Sequence, residues 1–144
     1  MKILIMGLPG AGKTWLGEKL SKHFSIPYWD ADIVRNIYND WEFSSMGRER
    51  QALRMRKLAE LDRISISGFV CPLPGLVRHF QPDKLIWMDT IKEGKYEDTN
   101  KLFVEPTKYD LRIKTWIDED QLYKCLADSS LGTKDTENFS KELI

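Results

Sequence analysis

Eight residues near the amino terminus have the types and the spacing of a phosphate-binding loop. Small residues let the backbone curl until several N–H groups point at phosphate oxygens, and the helix that follows adds its positive end. Lys13 is expected to reach the β- and γ-phosphates, and the Thr14 hydroxyl to bind Mg²⁺. The segment therefore predicts binding of a nucleoside triphosphate, with ATP and Mg²⁺ as the expected pair. The pattern G-x-x-x-x-G-K-[ST] is matched at every fixed position by Gly7, Leu8, Pro9, Gly10, Ala11, Gly12, Lys13 and Thr14.

Two carboxylates follow the next predicted strand, which covers residues 28–30. Asp30 and Asp32 stand where the carboxyl end of a parallel strand opens on the crevice that holds the phosphate loop. A carboxylate there can accept the proton of an attacking hydroxyl, or hold Mg²⁺ through water. It can equally cap the following helix, and the residues alone leave both roles open. Arg35 lies one helical turn beyond Asp32 and is expected to hold an anionic group of the phosphate acceptor.

The hydrophobic pattern places these motifs in alternating strands and helices. An apolar run at residues 3–6 predicts a buried parallel strand, and Leu16, Leu20 and Phe24 predict an amphipathic helix after the loop. The alternation predicts an α/β protein with the P-loop NTPase fold, a three-layer sandwich around a mainly parallel sheet. Further strands are predicted at 63–70, 85–88 and 109–113, helices at 32–38, 45–61 and after the capping pair Asp118 and Gln121, and an irregular, mobile loop at 92–108.

Length and composition fit one folded domain. The chain has 144 residues, of which 42% are hydrophobic, and its 22 basic and 22 acidic side chains cancel. We expect a kinase domain at 1–128 and a polar tail at 129–144. The balanced charge argues against binding long nucleic acid by bulk electrostatics. No apolar run approaches the roughly 20 residues that cross a bilayer, so a cytoplasmic protein without a membrane partner is expected.

The phosphate loop is followed by residues that resemble the adenylylsulfate (APS) kinase family. The matching positions are Asp30-x-Asp32-x-x-Arg35, then Phe43-Ser44, then Arg48, and the resemblance covers residues 3–72. Enzymes of that family act in sulfate assimilation, where they transfer the γ-phosphate of ATP to the 3′-hydroxyl of APS. The resemblance thus implies an ATP-dependent kinase with a small-molecule acceptor, and it also implies a homodimer.

The resemblance implies a role for each matching position. Asp32 would assist deprotonation of the acceptor hydroxyl, and Asp30 would work near Mg²⁺. Arg35 and Arg48 would contact the phosphosulfate side of APS, and Phe43 would pack on its adenine. Two further positions carry over to the acceptor pocket: Gln51, where the family usually has Asn, and the pair Cys71 and Pro72, where it has Ser-Pro.

The basic lid of the APS kinases is absent from this sequence. A polar segment at residues 91–103 stands in its place. A lid excludes water and supplies cations to the transition state. Lys95 and Lys101 are the candidates for those cations, and Phe103 is the candidate to sandwich the acceptor base opposite Phe43.

Because that lid is absent, the sequence is also compatible with other phosphate acceptors and with another class of protein. A short P-loop kinase can instead phosphorylate a nucleoside, the 5′-end of a polynucleotide or a modified base in DNA. Residues 85–88 followed by Asp89 also have the shape of a Walker-B strand. If Asp89 governs Mg²⁺, the chain is an ATPase or a nucleotide-dependent switch that needs no acceptor.

Overall fold

A computed structural model describes residues 1–127 of the chain. Five strands form one sheet in the order β2-β3-β1-β4-β5, and every pair of neighbours is parallel. The predicted tail at 129–144 lies outside the described residues, as does residue 128. The strands are β1 (Lys2–Met6), β2 (Tyr28–Asp30), β3 (Ser65–Gly68), β4 (Lys84–Met88) and β5 (Leu111–Ile113). The helices are α1 (Lys13–Phe24), α2 (Ala31–Tyr38), α3 (Ser45–Ala59), α4 (Pro74–Phe80), α5 (Glu97–Leu102) and α6 (Glu119–Ala127).

The central strand β1 is buried on both faces, which explains its continuous apolar run. Ile3 and Ile5 point into one hydrophobic cluster, and Leu4 and Met6 point into another. The first cluster contains side chains of α1 and α6, and the second contains side chains of α2, α3 and α4. The molecule is therefore the predicted three-layer α/β sandwich.

Several predicted bounds differ from those observed. α3 ends at Ala59 instead of residue 61, and β3 is only four residues long because it pairs with β1 only from Ser65 to Gly68. The segment at 92–108, predicted to be irregular, contains the short helix α5. The predicted capping pair of α6 is confirmed, since Asp118 and Gln121 exchange hydrogen bonds of 2.9 and 2.8 Å between backbone and side chain.

No helix within residues 1–127 combines the length and the apolar character that crossing a membrane requires.

Candidate active site

One cavity of about 850 Å³ opens at the carboxyl ends of β1, β2 and β3. The segments that follow these three strands form its floor, because the ends of neighbouring parallel strands meet at one edge of the sheet. The α2–α3 region forms one wall and the segment after β4 another. The sequence-predicted residues that line it are Pro9, Gly10, Gly12, Lys13, Thr14, Asp30, Asp32, Arg35, Phe43, Arg48, Gln51, Cys71 and Pro72.

The phosphate loop joins β1 to α1 in the expected strand–loop–helix setting. Gly12, directly before α1, has a φ of 99°, a left-handed conformation that favours glycine. Lys13 folds back on the loop, where its Nζ donates to the carbonyl oxygens of Gly7 and Leu8 at 2.8 and 2.9 Å. Burial lowers the pKa of Lys13 to about 8, although the nearby Asp32 and Asp30 carboxylates raise it. An anionic phosphate at this place would restore the preference for the charged amine.

Thr14 and Asp30 form a polar pair beside the loop. The Thr14 hydroxyl donates to Asp30 Oδ2 at 2.7 Å, which leaves its oxygen lone pairs free to face a cation. Residues 1–127 contain no cluster of three His, Cys, Asp or Glu side chains that could enclose a metal. The pair fits Mg²⁺ nevertheless, because this ion commonly binds through one or two protein oxygens together with phosphates and water.

Asp30 and Asp32 differ in what their carboxylates do. Asp30 caps α2, since its Oδ1 accepts from the backbone N–H of Asp32 at 2.9 Å. The helix-cap role, left open by the sequence, therefore applies to Asp30. The Asp32 side chain is exposed in the cavity and has no hydrogen bond or ion pair to another residue in the described part of the chain. Its carboxylate is available to an acceptor hydroxyl.

Two guanidinium groups lie close to the ring of Phe43 on the α2–α3 wall. The Cζ atoms of Arg35 and Arg48 are 4.3 and 5.3 Å from its ring centroid, within the range of cation–π contact. Arg35 Nη1 donates to the carbonyl oxygens of Asp40 and Glu42, and Arg48 Nε donates to the carbonyl oxygen of Phe43. These bonds fix the loop and still leave guanidinium N–H groups on both arginines. Phe43 is 51% exposed.

Gln51 and its neighbours on α3 hold the α2–α3 wall together. The Gln51 amide donates to the carbonyl oxygen of Ala31 at 3.1 Å and accepts from Arg54 at 2.9 Å. Asp40 pairs with Arg50 and with Arg54, and the hydrogen bond from Arg50 holds the pKa of the Asp40 carboxyl far below its usual range. Gln51 therefore lines the cavity with an amide that already holds α2 against α3.

The segment after β3 brings Cys71 and Pro72 to the cavity. Cys71 is fully buried, and burial raises the pKa of its thiol well above the ordinary value. Its φ of 49° is unusual for a residue with a side chain. A buried, protonated thiol is a poor nucleophile, so Cys71 contributes shape to the pocket.

The segment at 91–103 lies over the cavity and contacts both of its ends. An added Cβ on Gly94 would be 3.0 Å from the carbonyl oxygen of Pro9, and Val104, the residue directly after the segment, donates its N–H to the carbonyl oxygen of Pro72. Asn100 closes the intervening turn, because its amide accepts from Gly94 N–H at 2.8 Å and donates to Gly94 O at 2.9 Å. The cavity-lining residues of this segment are Lys95, Tyr96, Asp98 and Thr99.

Five residues expected at the site are not among those that line the cavity: Gly7, Leu8 and Ala11 of the phosphate loop, and Lys101 and Phe103 of the segment at 91–103. Lys101 is 3.5 Å from Glu97, one turn earlier on α5, and its side chain is largely exposed. Phe103 packs against the hydrophobic cluster on the α3 side of the sheet. Since neither Lys101 nor Phe103 lines the cavity, Lys95 is the cation that the segment presents to it.

Asp89, the candidate Walker-B acid, has other partners. Its Oδ2 accepts from Arg112 Nε at 3.1 Å, and Lys92 Nζ lies 3.5 Å from its Oδ1. Asp89 is buried and is not among the residues lining the cavity. Its charge is neutralised inside the protein, which removes the main support for an acceptor-independent ATPase or switch.

Sequence reasoning missed several residues at the site. Tyr28 lines the cavity beside Thr14, and burial together with the Asp30 carboxylate raises the pKa of its hydroxyl above the ordinary range. Trp41 lines the cavity on the α2–α3 wall and is 48% exposed. The motif Tyr-x-Asp offered a signal for Tyr28, since alternate residues of a strand share a face. Nothing in the sequence marked Tyr96 or Thr99.

Comparison with known proteins shows the fold of this chain. No family model matches it. Two curated relatives are kinases: a shikimate kinase of Microcystis aeruginosa, 24% identical over 83% of this chain and 70% of that protein, and an adenylate kinase of Caldicellulosiruptor bescii, 43% identical over 34% of this chain and 24% of that protein.

Solved structures also show that the fold of this chain is that of kinases. The APS kinase CysC of Mycobacterium tuberculosis, solved with AMPPNP and APS, superposes with a TM-score of 0.65 over 85% of this chain and 92% of that one, at 17% identity. A gluconokinase of Sinorhizobium meliloti reaches a TM-score of 0.68 over 99% of this chain and 94% of that one, at 9% identity. The chain has the α/β fold of the P-loop kinases, and its similarity extends to kinases with different acceptors.

Proposed function

We propose that this protein is an ATP-dependent kinase that transfers the γ-phosphate of ATP to the 3′-hydroxyl of adenylylsulfate. The acceptor oxygen forms a bond to the γ-phosphorus while the bond between that phosphorus and the β,γ-bridging oxygen breaks, so that ADP leaves. The hydroxyl proton passes to Asp32 and then to solvent. The products are ADP and 3′-phosphoadenylylsulfate.

The donor side of the cavity supports the ATP half of this proposal. The phosphate loop directs backbone N–H groups and the positive end of α1 at the β- and γ-phosphates, and Lys13 supplies a cation. Thr14 would hold Mg²⁺ directly, and Asp30 would act on it through Thr14 and through water. Bound Mg²⁺ supplies charge neutralisation on the β- and γ-phosphates. Lys95 is the residue we assign to the missing lid cation, because it lines the cavity and Lys101 does not.

The observation that carries the acceptor assignment is the arrangement of Arg35, Phe43 and Arg48 beside Asp32. A half-exposed aromatic ring offers a flat surface to a nucleobase. The two guanidinium groups next to it suit an anionic phosphosulfate. The free carboxylate of Asp32 lies in the same cavity, where it can receive the proton of a sugar hydroxyl. An acceptor that combines a base, a ribose and an anion uses all three features.

A nucleoside or nucleotide without the sulfate is the second candidate. The rings of Phe43 and Trp41 fit any nucleobase, and the arginines would then bind an ordinary phosphate. A small carboxylated ring such as shikimate uses the arginines but leaves the aromatic wall without a partner.

The test measures ADP release from MgATP with APS, AMP, a nucleoside, shikimate, gluconate or no acceptor, with mass spectrometry of the products. We expect ADP release that depends on APS, together with a product heavier than APS by one phosphoryl group. Release with shikimate or gluconate alone would refute the nucleotide acceptor. Release at the same rate with no acceptor would show an ATPase. Arg48→Ala should raise the KM for APS much more than the KM for ATP.

A further inference from the structure

Tyr28 occupies a slot that two glycines leave open between α1 and β3. A Cβ added to Gly17 would lie 2.2 Å from Tyr28 Cε2, and one added to Gly68 would lie 2.3 Å from the Tyr28 hydroxyl oxygen. Any larger residue at either position would therefore displace the ring or its hydroxyl. The slot holds the ring on the sheet and brings the hydroxyl to the floor of the cavity. A phenylalanine would fill the same slot, so packing alone does not account for the oxygen.

The Tyr28 hydroxyl lies beside the polar pair described above. Its oxygen is 3.5 Å from Asp30 Oδ2, at the outer limit of a hydrogen bond, and the same Oδ2 accepts from Thr14 at 2.7 Å. The other carboxylate oxygen, Oδ1, accepts from the Asp32 N–H. Asp30 is thus held on one side by the helix it caps and on the other by the Thr14 hydroxyl, with the Tyr28 hydroxyl next to the same carboxylate oxygen.

This arrangement has a consequence for a metal at Thr14. A hydroxyl that binds a cation must turn a lone pair toward the ion and its proton toward an acceptor. Asp30 Oδ2 is that acceptor, so rotation of the Asp30 carboxylate would turn the Thr14 lone pairs away. Loss of a group that hydrogen-bonds to a metal ligand and orients it typically lowers metal affinity by about 10- to 100-fold. The Tyr28 hydroxyl is placed to limit this rotation.

We propose that Tyr28 is a positioning residue for Mg²⁺: its hydroxyl, set by the Gly17–Gly68 slot, holds Asp30 in the orientation that aims the Thr14 oxygen at the metal. This inference rests on the proposed MgATP function and adds to it a residue that acts on the metal through Asp30 and Thr14. It explains why the slot holds a tyrosine.

Tyr28→Phe tests the proposal, because it removes the hydroxyl and keeps the ring. Binding of a fluorescent ATP analogue is titrated with Mg²⁺, and then measured without Mg²⁺. We expect the Mg²⁺ concentration for half-maximal effect to rise about tenfold, at the lower end for such groups because the contact is long. Binding without Mg²⁺ and the midpoint of thermal unfolding should stay unchanged. Tyr123→Phe is the matched control, since it removes a tyrosine–carboxylate hydrogen bond to Glu119 away from the cavity.

A second variant perturbs the contact between the Tyr28 hydroxyl and Asp30 without changing Tyr28 itself. Gly68→Ala places a methyl group against the hydroxyl of Tyr28, so it should also raise the Mg²⁺ requirement. Equal Mg²⁺ titrations for wild type and Tyr28→Phe would overturn the proposal. So would weaker binding of Tyr28→Phe without Mg²⁺ in the same proportion, because the ring and not the hydroxyl would then matter. If Tyr28→Phe did not fold, an unchanged Mg²⁺ titration for Gly68→Ala would overturn it. If the wild-type protein bound no nucleotide, or did so without regard to Mg²⁺, the proposed function itself would fail.

Discussion

Replacing Asn100 with alanine tests whether one side chain holds the segment at 91–103 over the active site. The Asn100 amide makes two hydrogen bonds to the backbone of Gly94, at 2.8 and 2.9 Å. At about 1 kcal/mol net for each, their loss should cost the closed turn about 2 kcal/mol, or roughly thirtyfold in its population relative to open forms. Because Lys95 follows Gly94 directly, the cation that we assign to the transition state loses its fixed position with the turn.

Two measurements follow this change. Amide hydrogen exchange across residues 93–100 should accelerate by up to about thirtyfold, which is the shift in population just given. Once the substrate is identified, kcat should fall in the variant. The affinity for ATP at the phosphate loop should change little, since the positions of Lys13 and Thr14 do not depend on this turn. Asn36→Ala on the exposed face of α2 is the control and should leave both quantities as they are.

Unchanged exchange in the Asn100→Ala protein would refute the assigned role of the two hydrogen bonds. Faster exchange with unchanged kcat would separate the two steps of the reasoning: the turn would be held as described, and Lys95 would have no part in transfer.

Three further predictions concern single residues of the site. The affinity for MgATP should be highest below pH 8 and should fall by up to about tenfold per pH unit above it. The reason is that phosphate binds the protonated Lys13 amine, whose pKa in the free protein is about 8. Calorimetry at several pH values measures this dependence. Lys95→Ala should lower kcat at least tenfold in steady-state assays while Lys101→Ala does not, since Lys95 alone of the two lines the cavity; equal effects would remove the lid assignment. Gly12→Ala should lower the stability measured by chemical unfolding by about 1–3 kcal/mol, because its φ of 99° strains any other residue; adding Trp116→Ala should relieve the 2.8 Å contact of the new Cβ but not this strain.

The donor half of the site could be predicted from the sequence because its residues are adjacent in the chain. A phosphate loop is a local structure: Gly12 needs a backbone angle, and Lys13 and Thr14 need the first turn of a helix. Asp30 and Asp32 follow a strand whose end is brought to the loop by the general rule for parallel sheets. The α/β fold follows from the alternation of apolar runs, which explains why the layers and all five strands could be predicted. The short helices α4 and α5 were missed, because neither has a long enough run of hydrophobic residues at helical spacing.

The acceptor half depends on contacts between residues that are distant in sequence. Lys95 and Lys101 have the same chemistry and lie in the same polar segment, so only the way this segment folds decides which one lines the cavity. Asp89 follows an apolar strand as a Walker-B acid does, but its carboxylate pairs with the guanidinium group of Arg112, 23 residues later in the chain. Neither outcome has a signal within a window of the sequence.

The sequence by itself therefore determined the phosphate-binding loop and the class of fold, since both arise from short-range spacing and from the period of hydrophobic residues. The tertiary structure decided which side chains share the cavity and which carboxylates remain free. Tyr28 and Asp30 share a face of β2, which the sequence indicates, but the slot that holds the Tyr28 ring is formed by glycines of α1 and β3 that are 51 residues apart in the chain. Such a contact depends on the packing of a helix on a sheet, and that packing is a property of the whole domain.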